Sequence, residues 1–437
     1  MAVEARRKIR ELLAARREEE TRFLAELVRV PSDNPPGDCA PHAVRATALL
    51  EAMGFKVEQH AVPDALVRAN GMVSCTNLVV RERFGADGPT GNDGPIRNDG
   101  PTRNDGPTRN DGPTVACNAH GDVVAPGLGW TTDPYGAEIR DGVMYGRGVA
   151  VSKSDFATYA FALAALKACG AKLKGAVELH FTYDEEAGGA IGPEWLLKQG
   201  ISKPDYAISA GFSYGITTAH NGALHLEVEV IGKSAHAARP DTGDDAMEAA
   251  NGIQADLYGL RRGYRAMKSK VEGIDSPTLV IGLIQGGINT NVVPDNVKFR
   301  IDRRIIPDEN AEEVERELIA QIKESAVKWL GIRCEVRRIL LAHPFVPMPG
   351  QKRLVDSIRA NAYEILGEDI KPQGVPIYTD ARHYSAAGVP TVLYGAGPRT
   401  LTEANGHRAD EKLRLDDLFK ATEIVALTFL DLLGAEQ

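Results

Sequence analysis

Thr114-Val115-Ala116-Cys117-Asn118-Ala119-His120-Gly121-Asp122 is a short apolar run that ends in a histidine and an aspartate. Its β-branched and small apolar residues predict a buried strand over 114–118, which leaves His120 and Asp122 at the carboxyl end. In sheets covered by helices that end is where ligands bind. Outward from it, β-type runs stand at 75–80, 176–183 and 206–209, and a strong helical stretch at 156–169 precedes the run at 176. Strands alternating with helices predict an α/β fold, a mixed sheet flanked by helices.

Further out, Phe23, Leu24, Leu27 and Val28 recur at helical spacing before Pro31, and Val44, Ala48, Leu49 and Ala52 do so before Gly54. From Ala223 the pattern changes. An alternating strand at 224–230 leads to a helix at 246–260, strands at 278–284 and 296–303, a helix at 311–329 and a strand at 333–341. That order predicts an inserted α+β domain of ferredoxin-like type. The helix 354–366 and the strand 391–394 return to the α/β style. The expected division is therefore 1–216 with 341–437 as one domain and 217–340 as the insertion.

With 43% hydrophobic residues among 437, the chain has enough apolar surface for two cores. Its net charge of −9 offers no footprint for nucleic acid or an anionic membrane. A charged N-terminal stretch lacks the apolar segment of a signal peptide, and no run approaches the length needed to span a bilayer. Cys39, Cys75, Cys117, Cys169 and Cys334 are odd in number and widely spaced. They suit a reducing compartment, so a cytoplasmic location is expected. Asn92, Asn98, Asn104 and Asn110 each open an Asn-Asp-Gly-Pro unit, which predicts a surface loop of successive turns.

His120 and Asp122 have the spacing at which a carboxylate can hold the second ring nitrogen of a metal-binding histidine. Alone, the spacing is a weak signal, and a structural hydrogen-bonded pair is the better reading of it. The run 176–183 ends in Asp184-Glu185-Glu186, three carboxylates that repel unless solvated or neutralised by a cation. With a metal present, one of them can bind it while its neighbour serves as general base toward activated water.

Together with Tyr145-Gly146-Arg147-Gly148, Gly232-Lys233-Ser234-Ala235-His236, Gly286-Gly287, Asn291, Asp302, Arg304, Thr379-Asp380-Ala381-Arg382 and Asn405-Gly406-His407, these segments form an ordered series along the chain. In it the sequence resembles the metallopeptidase family that contains aminoacylase, acetylornithine deacetylase, succinyl-diaminopimelate desuccinylase and carboxypeptidase G. The resemblance implies a metal-dependent hydrolase that cleaves a C–N bond in a small carboxylate-bearing substrate. His120, Glu186 and His407 would bind metal, Asp122 would orient His120, and Glu185 would be the general base. The insertion would form a homodimer and send His236 and Asn291 toward the partner's site. Arg304 and Arg382 would clamp a substrate carboxylate, with ion pairs to Asp302 or Asp380 as the competing structural reading.

Two positions depart from the family pattern. Val151 stands where a carboxylate would bridge two metal ions, and Gly211 stands where a further acidic ligand is expected. The remaining two imidazoles and one carboxylate suit one divalent ion, Mn or Zn, per subunit. Asp155 shares a helix face with Val151 but is displaced along the axis by about 5–6 Å. Three other readings stand beside the amide hydrolase: an aminohydrolase acting on an anthranilate-type amine, a degenerate binding or assembly protein, and a redox enzyme built on the two-His, one-carboxylate set.

Overall fold

The computed structural model describes residues 2–85, 112–400 and 402–434; the Asn-Asp-Gly-Pro repeat lies outside the described residues. Two compact units are present. One comprises Met1–Thr217, Met348–Pro372 and His383–Gln437, the other Thr218–Pro347 and Gln373–Arg382.

The strands of the two main sheets are β1 (Val57–Ala61), β2 (Thr76–Phe84), β3 (Thr114–His120), β4 (Gly175–Thr182), β5 (Tyr206–Ser209), β6 (Ile216–His220), β7 (Gly222–Ile231), β8 (Thr278–Gly286), β9 (Asn296–Ile305), β10 (Arg333–Ala342), β11 (Pro372–Val375) and β12 (Thr391–Leu393). The principal helices are α1 (Ala2–Ala15), α2 (Arg17–Val28), α3 (Ala40–Ala52), α4 (Lys153–Ala168), α5 (Ala246–Tyr264), α6 (Ala311–Val327), α7 (Gln351–Leu366), α8 (Ala381–Ala386) and α9 (Leu415–Leu433).

The larger sheet runs β1-β2-β4-β3-β5-β12-β6-β11. It is mixed: β3 is parallel to β4 and β5, β12 is parallel to β5, and β2 is antiparallel to both neighbours. Because β3, β4 and β5 point the same way, their carboxyl ends share one edge of the sheet. The register pairs His120 with Thr182 and Asn118 with Ser209. The residues that follow β4 and β5 therefore emerge beside the end of β3.

Behind this edge α4 is buried along nearly its whole length, polar residues included. Its sequence is apolar on every face, which is the pattern of a core helix rather than a surface one. Lys153 in its first turn is fully buried and donates to the carbonyls of Val30 at 2.9 Å and Leu27 at 3.3 Å. Burial drives its amine down to about 7 despite nearby carboxylates.

In the second unit the order β7-α5-β8-β9-α6-β10 folds into an antiparallel sheet arranged β8-β9-β7-β10. This is the ferredoxin-like arrangement. Period-two alternation buries Val297, Phe299 and Ile301 against α5 and α6 while Lys298 and Arg300 face outward. Truncating Phe299, 1% exposed, would cost about 3–5 kcal/mol. Asp245 caps α5 through the Met247 and Glu248 amides, and Asn310 caps α6 through that of Glu313.

Candidate metal centre

His120, Glu185 and Glu186 each offer a ligand atom, and these atoms lie within 4.8 Å of one another. The sheet register brings this about: His120 closes β3, and the 3-10 turn Glu185–Ala187 follows β4 directly. The expected ligand His407 lies outside this group of atoms but beside it, with Nε2 at 3.4 Å from Glu186 Oε1. It arrives on a segment where Asn405 and His407 hold positive φ, 54° and 61°.

Asp122 is fully buried and organises the group from behind. Its carboxylate accepts from the amides of Glu185 at 3.3 Å and Glu186 at 3.1 Å, and from Asn34 Nδ2 at 3.0 Å. His120 Nδ1 lies 2.9 Å from the Asp122 carbonyl oxygen and 3.4 Å from its carboxylate. With the ring proton on Nδ1, the Nε2 lone pair is free to bind a metal. Ser152 Oγ donates to the His120 carbonyl at 3.1 Å and accepts from its amide at 3.0 Å, which ties the end of β3 to the start of α4.

The electrostatics match a cation site. Burial pushes the His120 imidazole down, yet the charges of Glu185, Asp122 and Glu186, with the Asp122 hydrogen bond, outweigh it and raise its pKa well above the ordinary value. His407 is likewise raised, chiefly by its hydrogen bond to Glu186. The surrounding carboxylates thus favour positive charge at both imidazoles, the kind of charge that a divalent ion would bring. Two imidazoles and adjacent carboxylates are suitable donors for Mn(II) or Zn(II).

The second family position is closed. A Cβ on Gly211 would meet the Leu393 and Tyr394 backbone at 2.7 Å, so glycine there permits a close approach that any side chain would block. The Val151 side chain packs on the core, and the amides of Ala150 and Val151 donate to Glu411 Oε1 at 3.0 and 3.3 Å. Asp155, the candidate replacement, lies elsewhere: its Oδ1 accepts from the Ala396 amide at 2.7 Å. Burial raises it to about 7, against hydrogen bonds from the Ala396 and Gly211 amides and the charge of His120. It is not among the grouped ligand atoms.

The other anticipated residues sit in the second unit. His236 is exposed on the short strand Ala235–His236, which pairs with Val292–Val293 just after Asn291. Arg304 and Arg382 lie on the same tyrosine, each guanidinium carbon 5.4 Å from the Tyr378 ring centroid. Arg304 also pairs with Asp302 at 2.9 Å, the structural alternative, and Arg382 Nη1 donates to the Thr379 carbonyl at 3.0 Å.

Asn34 and Glu411 escaped the sequence reading. Glu411 forms a buried pair with Arg147 at 2.5 Å, both 1% exposed. The signal for it was the unexplained arginine inside Gly146-Arg147-Gly148, which has to find an acid if buried.

Comparison with known proteins identifies the family and the fold. The family model described as Peptidase family M20/M25/M40 matches residues 116–431. Succinyl-diaminopimelate desuccinylase of Aliarcobacter butzleri (strain RM4018) is 27% identical over 315 residues, covering 70% of this chain and 80% of that protein. Among solved structures, human carnosine dipeptidase 1 superposes with a TM-score of 0.71 at 19% identity, covering 98% of each chain. A dinuclear metal-binding peptidase of Bacillus subtilis gives 0.62 at 16% identity, covering 96% of this chain and 99% of that one.

Proposed function

The chain belongs to Peptidase family M20/M25/M40, and from that premise we propose that it holds one divalent ion per subunit on His120, Glu186 and His407 and hydrolyses an N-acyl amino acid or short peptide. Membership makes it a metal-dependent hydrolase of C–N bonds. The observation that carries the reading is the convergence of His120, Glu185 and Glu186 within 4.8 Å, with Asp122 fixing both the imidazole and the two glutamate amides.

When bound, the ion supplies Lewis acidity, lowering the pKa of water at the site and polarising the scissile carbonyl. Glu185 takes the proton of the attacking water and passes it to the leaving nitrogen. His120 presents Nε2 because Asp122 occupies Nδ1. Glu186 would hold the ion together with His407, whose Nε2 stands 3.4 Å from its Oε1. A single ion follows from Val151 and Gly211, which lack ligand atoms, and from Asp155, whose carboxylate binds backbone amides.

The substrate's carboxylate is assigned to Arg304 and Arg382, the two guanidinium groups gathered on Tyr378. Dimerisation through the second unit is supported by β8, an edge strand that exposes Val280, Leu283 and Ile284, because an apolar sheet edge favours pairing. Each partner would then lend His236 and Asn291 to its neighbour. Five unpaired cysteines suit a cytoplasmic location, and no described helix is long and apolar enough to cross a membrane.

The test is to load the metal-free protein with Mn(II) or Zn(II), count bound ions and assay N-succinyl and N-acetyl amino acids and dipeptides. One ion per chain and turnover that requires it are expected. Two tightly held ions would overturn the mononuclear site, and a loaded enzyme that hydrolyses none of these amides would overturn the substrate class.

A further inference from the structure

The turn that carries Glu185 and Glu186 bends through two glycines and is closed by backbone hydrogen bonds. Ala187 is followed by Gly188 and Gly189, at φ 109° and 69°, and glycine loses more conformational freedom on ordering than any other residue. The two adjacent carboxylates repel each other. Within the turn, the Gly188 amide donates to the Glu185 carbonyl at 2.9 Å and the Gly189 amide to that of Asp184 at 2.7 Å. Because the Gly188 carbonyl shares a rigid peptide plane with the Gly189 amide, the second bond already sets its direction from within the turn.

That carbonyl lies 3.1 Å from His383 Nε2, on α8. The next residue of the same helix, Tyr384, places its hydroxyl 2.7 Å from His180 Nδ1, with the two rings stacked at 5.9 Å and 18°. His180 belongs to β4, the strand that runs into the turn. It is fixed in its own right, since Nε2 lies 3.1 Å from Glu178 Oε2, a carboxylate that also accepts from Ser202 Oγ at 2.5 Å and from Arg81. With the ring proton directed at Glu178, His180 Nδ1 carries a lone pair and accepts the Tyr384 hydroxyl proton. Consecutive helix residues project about 100° apart, so the two side chains reach two separate stations. One lies upstream of Glu185-Glu186 and the other downstream.

We infer that α8 is a positioning element for the metal-binding turn and that His383, donating to the Gly188 carbonyl, is its positioning residue. The inference rests on the metal assignment proposed above and deepens it. His383 touches neither substrate nor metal in this role; it sets where the turn presents its carboxylates. A ring of similar size without a donor would fill the space and remove the α8 donor from the Gly188 carbonyl.

Mn(II) titration of the metal-free protein, followed by the electron paramagnetic resonance signal of free Mn(II), tests this on wild type, His383→Phe, His383→Gln and Tyr384→Phe, with thermal unfolding of each metal-free form. His383→Phe is expected to weaken Mn(II) binding about 10–100-fold, whereas His383→Gln, whose amide donates to the same carbonyl, stays within about threefold of wild type. Tyr384→Phe weakens binding in the same direction by releasing the other station. Unchanged affinity in His383→Phe overturns the inference even if its metal-free form melts earlier, because that is the signature of packing alone. Equal losses in the Phe and Gln variants overturn it too, and unchanged affinity in Tyr384→Phe overturns the two-station grip. A wild-type chain that binds no Mn(II) refutes the metal assignment itself, and this inference with it.

Discussion

Replacing Glu20 with glutamine should stabilise the protein by an amount that grows with pH. Glu20 on α2 is 1% exposed, and its Oε1 lies 2.5 Å from Thr422 Oγ1 on α9. Thr422 also faces the Leu418 carbonyl at 2.9 Å. A hydroxyl has one proton to give, so with that proton on Leu418 the Glu20 carboxyl must bring its own. Burial pushes the carboxyl up to about 8, against lowering by Thr422, Arg17 and Arg16, from an ordinary value of 4.5. Above pH 4.5 the unfolded chain therefore ionises while the folded one stays neutral. For a raised acid the sign is fixed: no stability is forfeited below the unfolded pKa, and it is lost as pH climbs to the folded pKa. At about 1.36 kcal/mol per pH unit the loss is about 3 kcal/mol at pH 7 and about 5 kcal/mol above pH 8. Glutamine keeps the shape, can donate to Thr422 and does not titrate. Urea unfolding of metal-free wild type and Glu20→Gln at pH 5, 7 and 8.5 isolates the effect, since other titrating groups cancel in the difference. The two should agree within about 1 kcal/mol at pH 5, with the variant ahead by about 3 kcal/mol at pH 7. A difference independent of pH, or a wild type that is the more stable at pH 8.5, would refute the reasoning.

Glu185→Gln should keep the metal and lose about 10²–10⁴-fold in turnover, as expected for a lost general base, whereas Glu186→Gln should lose the metal; paired metal content and rates decide, and the opposite pattern would exchange their roles. Arg147→Met should cost about 3–5 kcal/mol by stranding the buried Glu411 carboxylate, and adding Glu411→Gln should recover most of it in urea unfolding; a double variant no more stable than the single would show that the lost charge partner is not the cause. Mixing inactive Glu185→Gln chains with inactive His236→Ala chains should restore activity in hybrid dimers, and silence after demonstrated subunit exchange would count against a shared site.

What the sequence by itself determined is whatever depends on neighbours in the chain. His120 and Asp122 are two residues apart at a strand end, so backbone geometry alone brings ring and carboxylate together. The apolar run of α4 and the period-two alternation of β7 and β9 announce their burial, because side-chain direction repeats with a known period. Glu185 and Glu186 declare themselves by adjacent like charge. The missing ligands at Val151 and Gly211 were legible too, since a side chain that lacks a donor atom lacks it in any fold.

Tertiary structure decided everything that joins distant segments. Asp155 shares a helix face with Val151, which made it the nearest substitute ligand in the sequence, though its displacement along the axis already counted against it. The fold instead brings the Ala396 amide, 241 residues away in sequence, against its carboxylate, and an acceptor engaged by backbone amides in a buried site is not spare for a metal. Gly211 reads as a simple loss until the backbone of Leu393 and Tyr394 is seen to fill the space a Cβ would need. Asn34, Glu411 and His383 act on the centre from segments whose spacing carries no period, and only packing of the sheet against its helices sets those distances. Hydrogen bonds and ion pairs fall off within a few ångströms, so partners remote in sequence stay invisible until the chain is folded.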